Sequence, residues 1–363
     1  MTDNLQPVRF SDIPGWQVDD HQKAFQAFLQ SARSHLDVKP YRQKSLPFDG
    51  DRFNAVCREA VDLSSGGNLA KETAKAFFEQ NFSPFLVTED GFVTGYYEPE
   101  IDVRFEKDEI FKYLFYKRPN DLIDIDNPDN PPASIEKGTM FAHRTEDGLV
   151  PYADRKAIDQ GFLKDQNLEI AYAKSKADVY FIHIQGSARL KGENGDIKRI
   201  SYAAKSGHSY TSIGKILIER GEIHPDNMSM AAIRQWMDEN SSSIDELLWQ
   251  NQSYIFFAEI TNFDPLMGPI GAAKIQLMDQ RSLAVDKNIY QFGLPIFINA
   301  ENAPVNALRR NFRQLMIAHD TGSAILGSAR GDIFIGTGLK AGEIAGGIAH
   351  QASFFVLLPG ENN

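Results

Sequence analysis

Ala318-His319-Asp320-Thr321-Gly322-Ser323-Ala324-Ile325-Leu326-Gly327-Ser328-Ala329-Arg330-Gly331-Asp332-Ile333-Phe334-Ile335-Gly336-Thr337-Gly338 is the stretch on which the reading of this chain turns. Asp320 and Asp332 stand twelve positions apart, each close to glycines and to β-forming residues. Glycine tolerates φ > 0 and leaves room for a ligand against the backbone. A third aspartate, Asp286, sits in the strand-like run Leu283-Ala284-Val285-Asp286-Lys287-Asn288-Ile289. One such aspartate reads as a turn residue. Three of them in a single glycine-punctuated β segment read as a site. From about 261 onward there is no long helical period. Short apolar runs broken by Gly, Pro, Asn and Asp predict a small β-barrel there.

Working outward to the N-terminus, Phe25, Phe28, Leu29, Ala32 and Leu36 have the 3–4 spacing of an amphipathic helix that ends before Pro40. A second helix is expected over about 51–62. A third begins after Asn68, includes Phe77 and Phe78, and ends at Ser83-Pro84. Glu89-Asp90-Gly91, between Phe85–Thr88 and Phe92–Tyr97, is a hairpin signal. Asp121 to Pro132 reads as a surface loop. Strands are expected at 168–172, 178–184 and 253–260, with a turn at 192–196. Helices are expected at about Thr211–Arg220 and Ser229–Glu239, and a third opens at a Ser243/Glu246 capping box.

At 363 residues the chain has room for two domains. Its net charge of −11 argues against a nucleic-acid or anionic-membrane partner, either of which wants a basic face. The single cysteine, Cys57, forbids an intramolecular disulfide and falls at helical spacing with Phe53, Ala60 and Val61, as a buried core residue would. No run approaches ~20 apolar residues, and Met1–Pro7 shows no basic region leading into an apolar one. The eight histidines lack metal-ligand spacing, and no P-loop or GxSxG occurs. Gly336-Thr337-Gly338 lacks the strand-then-helix setting of a dinucleotide loop. No metal and no cofactor are expected.

Five blocks occur in order over roughly residues 85 to 355: Thr94-Gly95-Tyr96-Tyr97-Glu98-Pro99; Ile184-Gln185-Gly186-Ser187; Gly207-His208-x-Tyr210-x-Ser212-Ile213-Gly214-Lys215-x-Leu217-Ile218-x-Arg220-Gly221-Glu222; the aspartate stretch itself; and Gly338-x-x-Ala341-Gly342-x-x-Ala345-Gly346. Together they resemble the MltA-type lytic murein transglycosylases. The resemblance implies an α+β fold in which residues 1–99 and 261–363 form one discontinuous domain, N-terminal helices plus a double-psi β-barrel. Residues 100–260 would form an inserted mixed α/β domain, with a sugar groove between the two. It implies cleavage of the β-1,4 bond between N-acetylmuramic acid and N-acetylglucosamine in peptidoglycan, with a 1,6-anhydro end on the product. The implied partners are glycan strands and cell-wall enzyme complexes, with the chain itself a monomer. The implied place is the periplasm, associated with the outer membrane. Members are exported, often as lipoproteins, whereas no signal peptide or lipid-bearing cysteine is visible here.

Glycosidic cleavage passes through an oxocarbenium-like state and needs a proton on the leaving oxygen. When the muramic C6 hydroxyl is the nucleophile, one carboxyl group can act first as acid and then as base. The resemblance assigns that double role to Asp332, with Asp320 and Asp286 in support. It assigns sugar contacts to Thr94, Gly95, Tyr96, Tyr97, Gln185, Gly186 and Ser187, and more weakly to Lys205, His208 and Tyr210, with loop-holding by hydrogen bonds the alternative reading of His208. The acid step asks for a protonated Asp332, favoured by burial or a neighbouring carboxylate. In a regular strand, however, Arg330 and Phe334 would share its face. Either Gly331 bulges or Arg330 points elsewhere. Two other readings stay open: a hydrolase pairing Asp332 with Asp320, and a non-catalytic sugar-binding barrel.

Overall fold

The computed structural model describes residues 4–37, 45–46, 48–301, 303 and 311–360. Pro40, the expected helix stop, lies outside the described residues. The chain divides into two compact units, Met1–Glu98 with Phe263–Asn363, and Pro99–Asn262.

In the first unit the helices His21–Asp37, Gly50–Ser64 and Lys71–Asn81 bury one stripe each. Phe25, Phe28, Phe53, Phe77 and Phe78 meet there with Phe82, and Phe25 packs edge-on to Phe77 at 5.0 Å. Asp49 caps the second helix by accepting from the Asp51 and Arg52 amides, both at 3.0 Å. Cys57 is fully buried in this layer, and burial pushes its thiol up to about 12, which keeps it an inert core residue.

The helices cover a sheet that closes on itself. The strands Ala349–Pro359, Pro295–Ala300, Phe312–Asp320, Ser282–Val285, Arg330–Thr337 and Gly91–Glu98 follow one another in space. The last pairs back to the first. Closure leaves these six strands no open edge along the ring. A buried ion pair ties the N-terminal segment to it: Arg281 donates to both oxygens of Asp19 at 3.0 and 2.8 Å, and the Leu315 amide donates to the same carboxylate. The expected hairpin does not form. Strand Phe82–Val87 never pairs with Gly91–Glu98, because Ala349–Pro359 pairs with both. Gly91 serves that approach: a Cβ there would lie 2.1 Å from the Ala352 carbonyl. Helix Leu339–Gly346, which no helical period announces, packs beside the ring.

The second unit holds a six-stranded sheet in the order Ile255–Ile260, Ile197–Lys205, Ser187–Lys191, Glu100–Arg104, Glu169–Ala173, Tyr113–Tyr116. A three-stranded sheet, Leu122–Asp124, Phe141–Thr145 and Gly148–Val150, takes in part of the expected 121–132 loop. The expected strand over 178–184 is instead the helix Lys176–Gln185. Its Val179 and Ile182 enter the core of the large sheet, while Ala177, Tyr180 and Phe181 pack against the helices Ile213–Glu219, Met230–Glu239 and Ile244–Trp249. A helix buried on both sides loses its amphipathic period and reads as a continuous apolar run. The Ser243 side chain makes no cap bond, since its own backbone is already helical at φ −105° and ψ −1°.

Candidate active site

Strand pairing places the candidate residues in a row. Ala284 is paired with Asp320 on one side and Asp332 on the other, and Asp332 is paired with Thr94 in the parallel ladder. Side chains in register across a sheet share a face. Asp332 and Thr94 therefore project together, flanked by the pair Arg330 and Phe92 and the pair Phe334 and Tyr96. Ala284, itself buried, keeps the space between the two aspartates small and apolar.

The three aspartates differ in what holds them. Asp286, buried at the end of Ser282–Val285, accepts the Asn288 amide on Oδ1 and the Gly327 amide on Oδ2, both at 2.9 Å. It fastens the 322–329 loop. Asp320 accepts the Ala272 amide on Oδ1 and the Tyr96 hydroxyl on Oδ2, each at 2.9 Å. Burial raises the Asp320 carboxyl above its ordinary 3.8. The amides of Ala272 and Thr321 and the Tyr96 hydroxyl offset part of that rise, and the Asp332 charge adds to it. Asp332 is about a fifth exposed. Its Oδ1 accepts from Thr94 Oγ1 and from Arg330 Nη1, and no bond to its Oδ2 is found among the described residues.

Arg330 takes neither expected course. Strand Arg330–Thr337 runs without a bulge at Gly331, and Arg330 stays on the face of Asp332 and pairs with it. Its Nη2 donates to Thr94 Oγ1 at 2.8 Å, and its Nη1 also reaches the Gly331 carbonyl at 2.6 Å.

Tyr96 lies beside Phe334, ring centroids 5.3 Å apart, and burial and the Asp320 charge hold its hydroxyl protonated well above the usual tyrosine range. Alternation sends Gly95 and Tyr97 to the opposite face, against Ala345 and Gly342 of helix Leu339–Gly346. The ring thus gathers Thr94, Tyr96, Asp320 and Asp332, and turns Gly95 and Tyr97 away from them. The sequence reading overlooks Ala272, Ala284 and His319. His319 is fully buried, bonds Ser282 Oγ at 2.8 Å, and is held neutral by burial, its value down at about 3. It anchors the strand that presents Asp320. Only its place beside Asp320 in the sequence could have drawn attention to it.

The other candidates belong to the second unit. Gln185 ends helix Lys176–Gln185, Gly186 caps it in the left-handed region at φ +76°, and buried Ser187 begins the next strand. Arg155 fixes this corner from below: it donates to the carbonyls of Asn251 and Ser253 and meets His183 Nδ1 at 3.2 Å. Lys205 ends strand Ile197–Lys205, and Tyr210 is 41% exposed. His208 Nε2 bonds the Tyr152 carbonyl at 2.8 Å, a loop-holding contact.

Comparison with known proteins sets these features in a family. The MltA specific insert domain matches residues 92–258, and the 3D domain matches residues 281–358. A membrane-bound lytic murein transglycosylase from Agrobacterium tumefaciens, known from its crystal structure, is 43% identical over 98% of both chains, with a TM-score of 0.91. The membrane-bound lytic murein transglycosylase A of Escherichia coli K12 is 34% identical over 281 residues, which is 74% of this chain and 67% of that protein. The crystal structure of E. coli MltA with bound chitohexaose has a TM-score of 0.68 at 25% identity, covering 98% of this chain and 91% of that one.

Proposed function

The chain belongs to the MltA family of lytic murein transglycosylases, and on that premise we propose that it cleaves the β-1,4 bond between N-acetylmuramic acid and N-acetylglucosamine, with Asp332 as the one acid and base. The observation that carries this reading is the state of the three carboxylates. Both oxygens of Asp286 and both of Asp320 accept hydrogen bonds, whereas Asp332 keeps one oxygen free of protein donors among the described residues. Asp332 protonates the glycosidic oxygen as the C1–O4 bond breaks. The resulting carboxylate then takes the proton of the muramic C6 hydroxyl as O6 closes on C1. The product ends in 1,6-anhydromuramic acid, and no water is consumed.

A hydrolase needs a second carboxylate to activate water. Asp320, across Ala284 from Asp332, is the candidate, and its two oxygens are already engaged by Ala272 and Tyr96, which favours the transglycosylase. Tyr96 and Thr94 border the reacting centre. A murein substrate and membrane-bound relatives support a periplasmic place at the outer membrane. Murein digested in H2 18O tests the reaction. Mass spectrometry should find anhydro ends without heavy oxygen, and Asp332→Asn should slow release by about 100-fold or more. Reducing ends carrying 18O would instead establish hydrolysis.

A further inference from the structure

Asp332 is bonded asymmetrically, and the donors on its occupied oxygen form a chain. Thr94 has one hydroxyl proton. Because Thr94 Oγ1 already accepts from Arg330 Nη2 at 2.8 Å, its proton is directed at Asp332 Oδ1. Arg330 Nη1 reaches the same oxygen. Arg330 is itself held by the Gly331 carbonyl and by the Phe92 ring, whose centroid lies 5.7 Å from its guanidinium carbon. Ladder register sets this arrangement, Thr94 opposite Asp332 and Phe92 opposite Arg330, so it belongs to the rigid ring and not to a loop. Asp320 and Tyr96, which are bonded to each other, also lie by this site, and Asp286, two positions beyond Ala284, is engaged by the Asn288 and Gly327 amides.

We infer that Arg330 and Thr94 are positioning residues that reserve Oδ1, so that Asp332 gives and takes its proton through Oδ2 alone. The inference rests on the reading of Asp332 as the acid and base. When Oδ2 carries the proton, Oδ1 is the carbonyl oxygen of a carboxylic acid and accepts both donors. When the proton has gone to the glycosidic oxygen, Oδ1 belongs to a carboxylate and accepts the same two. The shell therefore does not reorganise when the proton leaves or when the C6 hydroxyl returns one, and fixed dipoles of this kind are what lower a barrier. Arg330 and Thr94 keep their own protons throughout.

The test compares turnover on murein sacculi with chitohexaose affinity. Arg330→Gln and Thr94→Val should each cut kcat by about 100-fold, the scale of a misplaced catalytic group, with chitohexaose Kd and melting temperature held. Thr94→Ser should recover the rate. Added guanidinium chloride at millimolar concentration should accelerate Arg330→Ala and leave Thr94→Val unmoved. If Thr94→Val proves unfolded, the serine variant and the guanidinium rescue still decide. Wild-type kcat in both Arg330→Gln and Thr94→Val would overturn the inference. So would a loss carried entirely by weaker chitohexaose binding, since these side chains would then hold sugar. Asp332→Asn separates the two levels: a fully active variant defeats the acid-base reading itself, whereas an inactive one beside fast Arg330→Gln and Thr94→Val defeats only the positioning role.

Discussion

Replacing Asp320 by Asn should stabilise this protein at neutral pH, and the gain should fade as the solution is acidified. Asp320 is half-buried, its two oxygens accept from Tyr96 and from the Ala272 amide, and none of its hydrogen bonds comes from a cation. Burial, with the Asp332 charge added, outweighs those donors and raises its carboxyl above 3.8. The folded state thus binds this proton more tightly than the unfolded chain does. Below the ordinary 3.8 the group is protonated in both states and costs nothing. As pH rises through the elevated folded value, ionisation penalises only the folded state, and at pH 7 the whole penalty is present. Asn has no charge to desolvate. Its oxygen can take the Ala272 amide, and its NH2 can donate to the Tyr96 hydroxyl, which accepts as well as it donates. Substitutions that relieve a local cost of this kind commonly gain about 1 kcal/mol, and that is the expected gain. For a unit of this size that is a rise of about 2–4 °C in melting temperature. Thermal unfolding of both proteins from pH 8 to pH 4 measures the difference. A gap that widens toward acid, or an Asn variant that melts below wild type at pH 7, would show that the ionised carboxylate is held by its donors and that the reasoning has the sign wrong.

Asp19→Ala should cost about 3–5 kcal/mol, because it strands the Arg281 guanidinium in a site where both side chains are no more than 4% exposed; denaturant unfolding of the two proteins checks this. Gly95→Ala places a Cβ 2.8 Å from Ala345 Cα and 3.0 Å from the Ala345 carbonyl. Helix Leu339–Gly346 must then shift, at about 1–3 kcal/mol, and murein turnover should fall with melting temperature because Thr94 and Tyr96 flank the substitution.

Local signals carried well wherever the structure they encode is local. The Phe25–Phe28 spacing and the Phe77-Phe78 pair predict helices that form with those residues buried, and the apolar runs after 261 predict strands that form. What failed were inferences about which distant segment wins. Glu89-Asp90-Gly91 has the composition of a hairpin turn, yet Ala349–Pro359, some 260 positions away, inserts between its two arms. Gly91 is needed either way, for a turn or for a close strand neighbour, so the residue does not separate the two cases. Residues 178–184 fail for the same kind of reason. Burial from both sides erases the period that would have marked the segment as a helix.

The site was legible as a set of residues and illegible as a division of labour. Asp286, Asp320 and Asp332 are the same residue in similar strand-forming surroundings, and composition ranks none above the others. They part company through the donors that come to each oxygen: backbone amides from positions 288 and 327, an amide from 272 with a phenol from 96, a hydroxyl from 94 with a guanidinium from 330. Four of those six donors lie more than 40 positions from the carboxylate they serve. Arg330 shows the limit most plainly. Strand alternation alone puts a cation beside an acid that must carry a proton, and the sequence offers only a bulge or a side chain turned away as escapes. The ladder supplies a third arrangement, because parallel pairing sets Thr94 directly across from Asp332 and lets the guanidinium and the hydroxyl share one oxygen. A cation confined to Oδ1 leaves Oδ2 open for the proton, so the arginine and the acid can occupy one face without excluding each other's role.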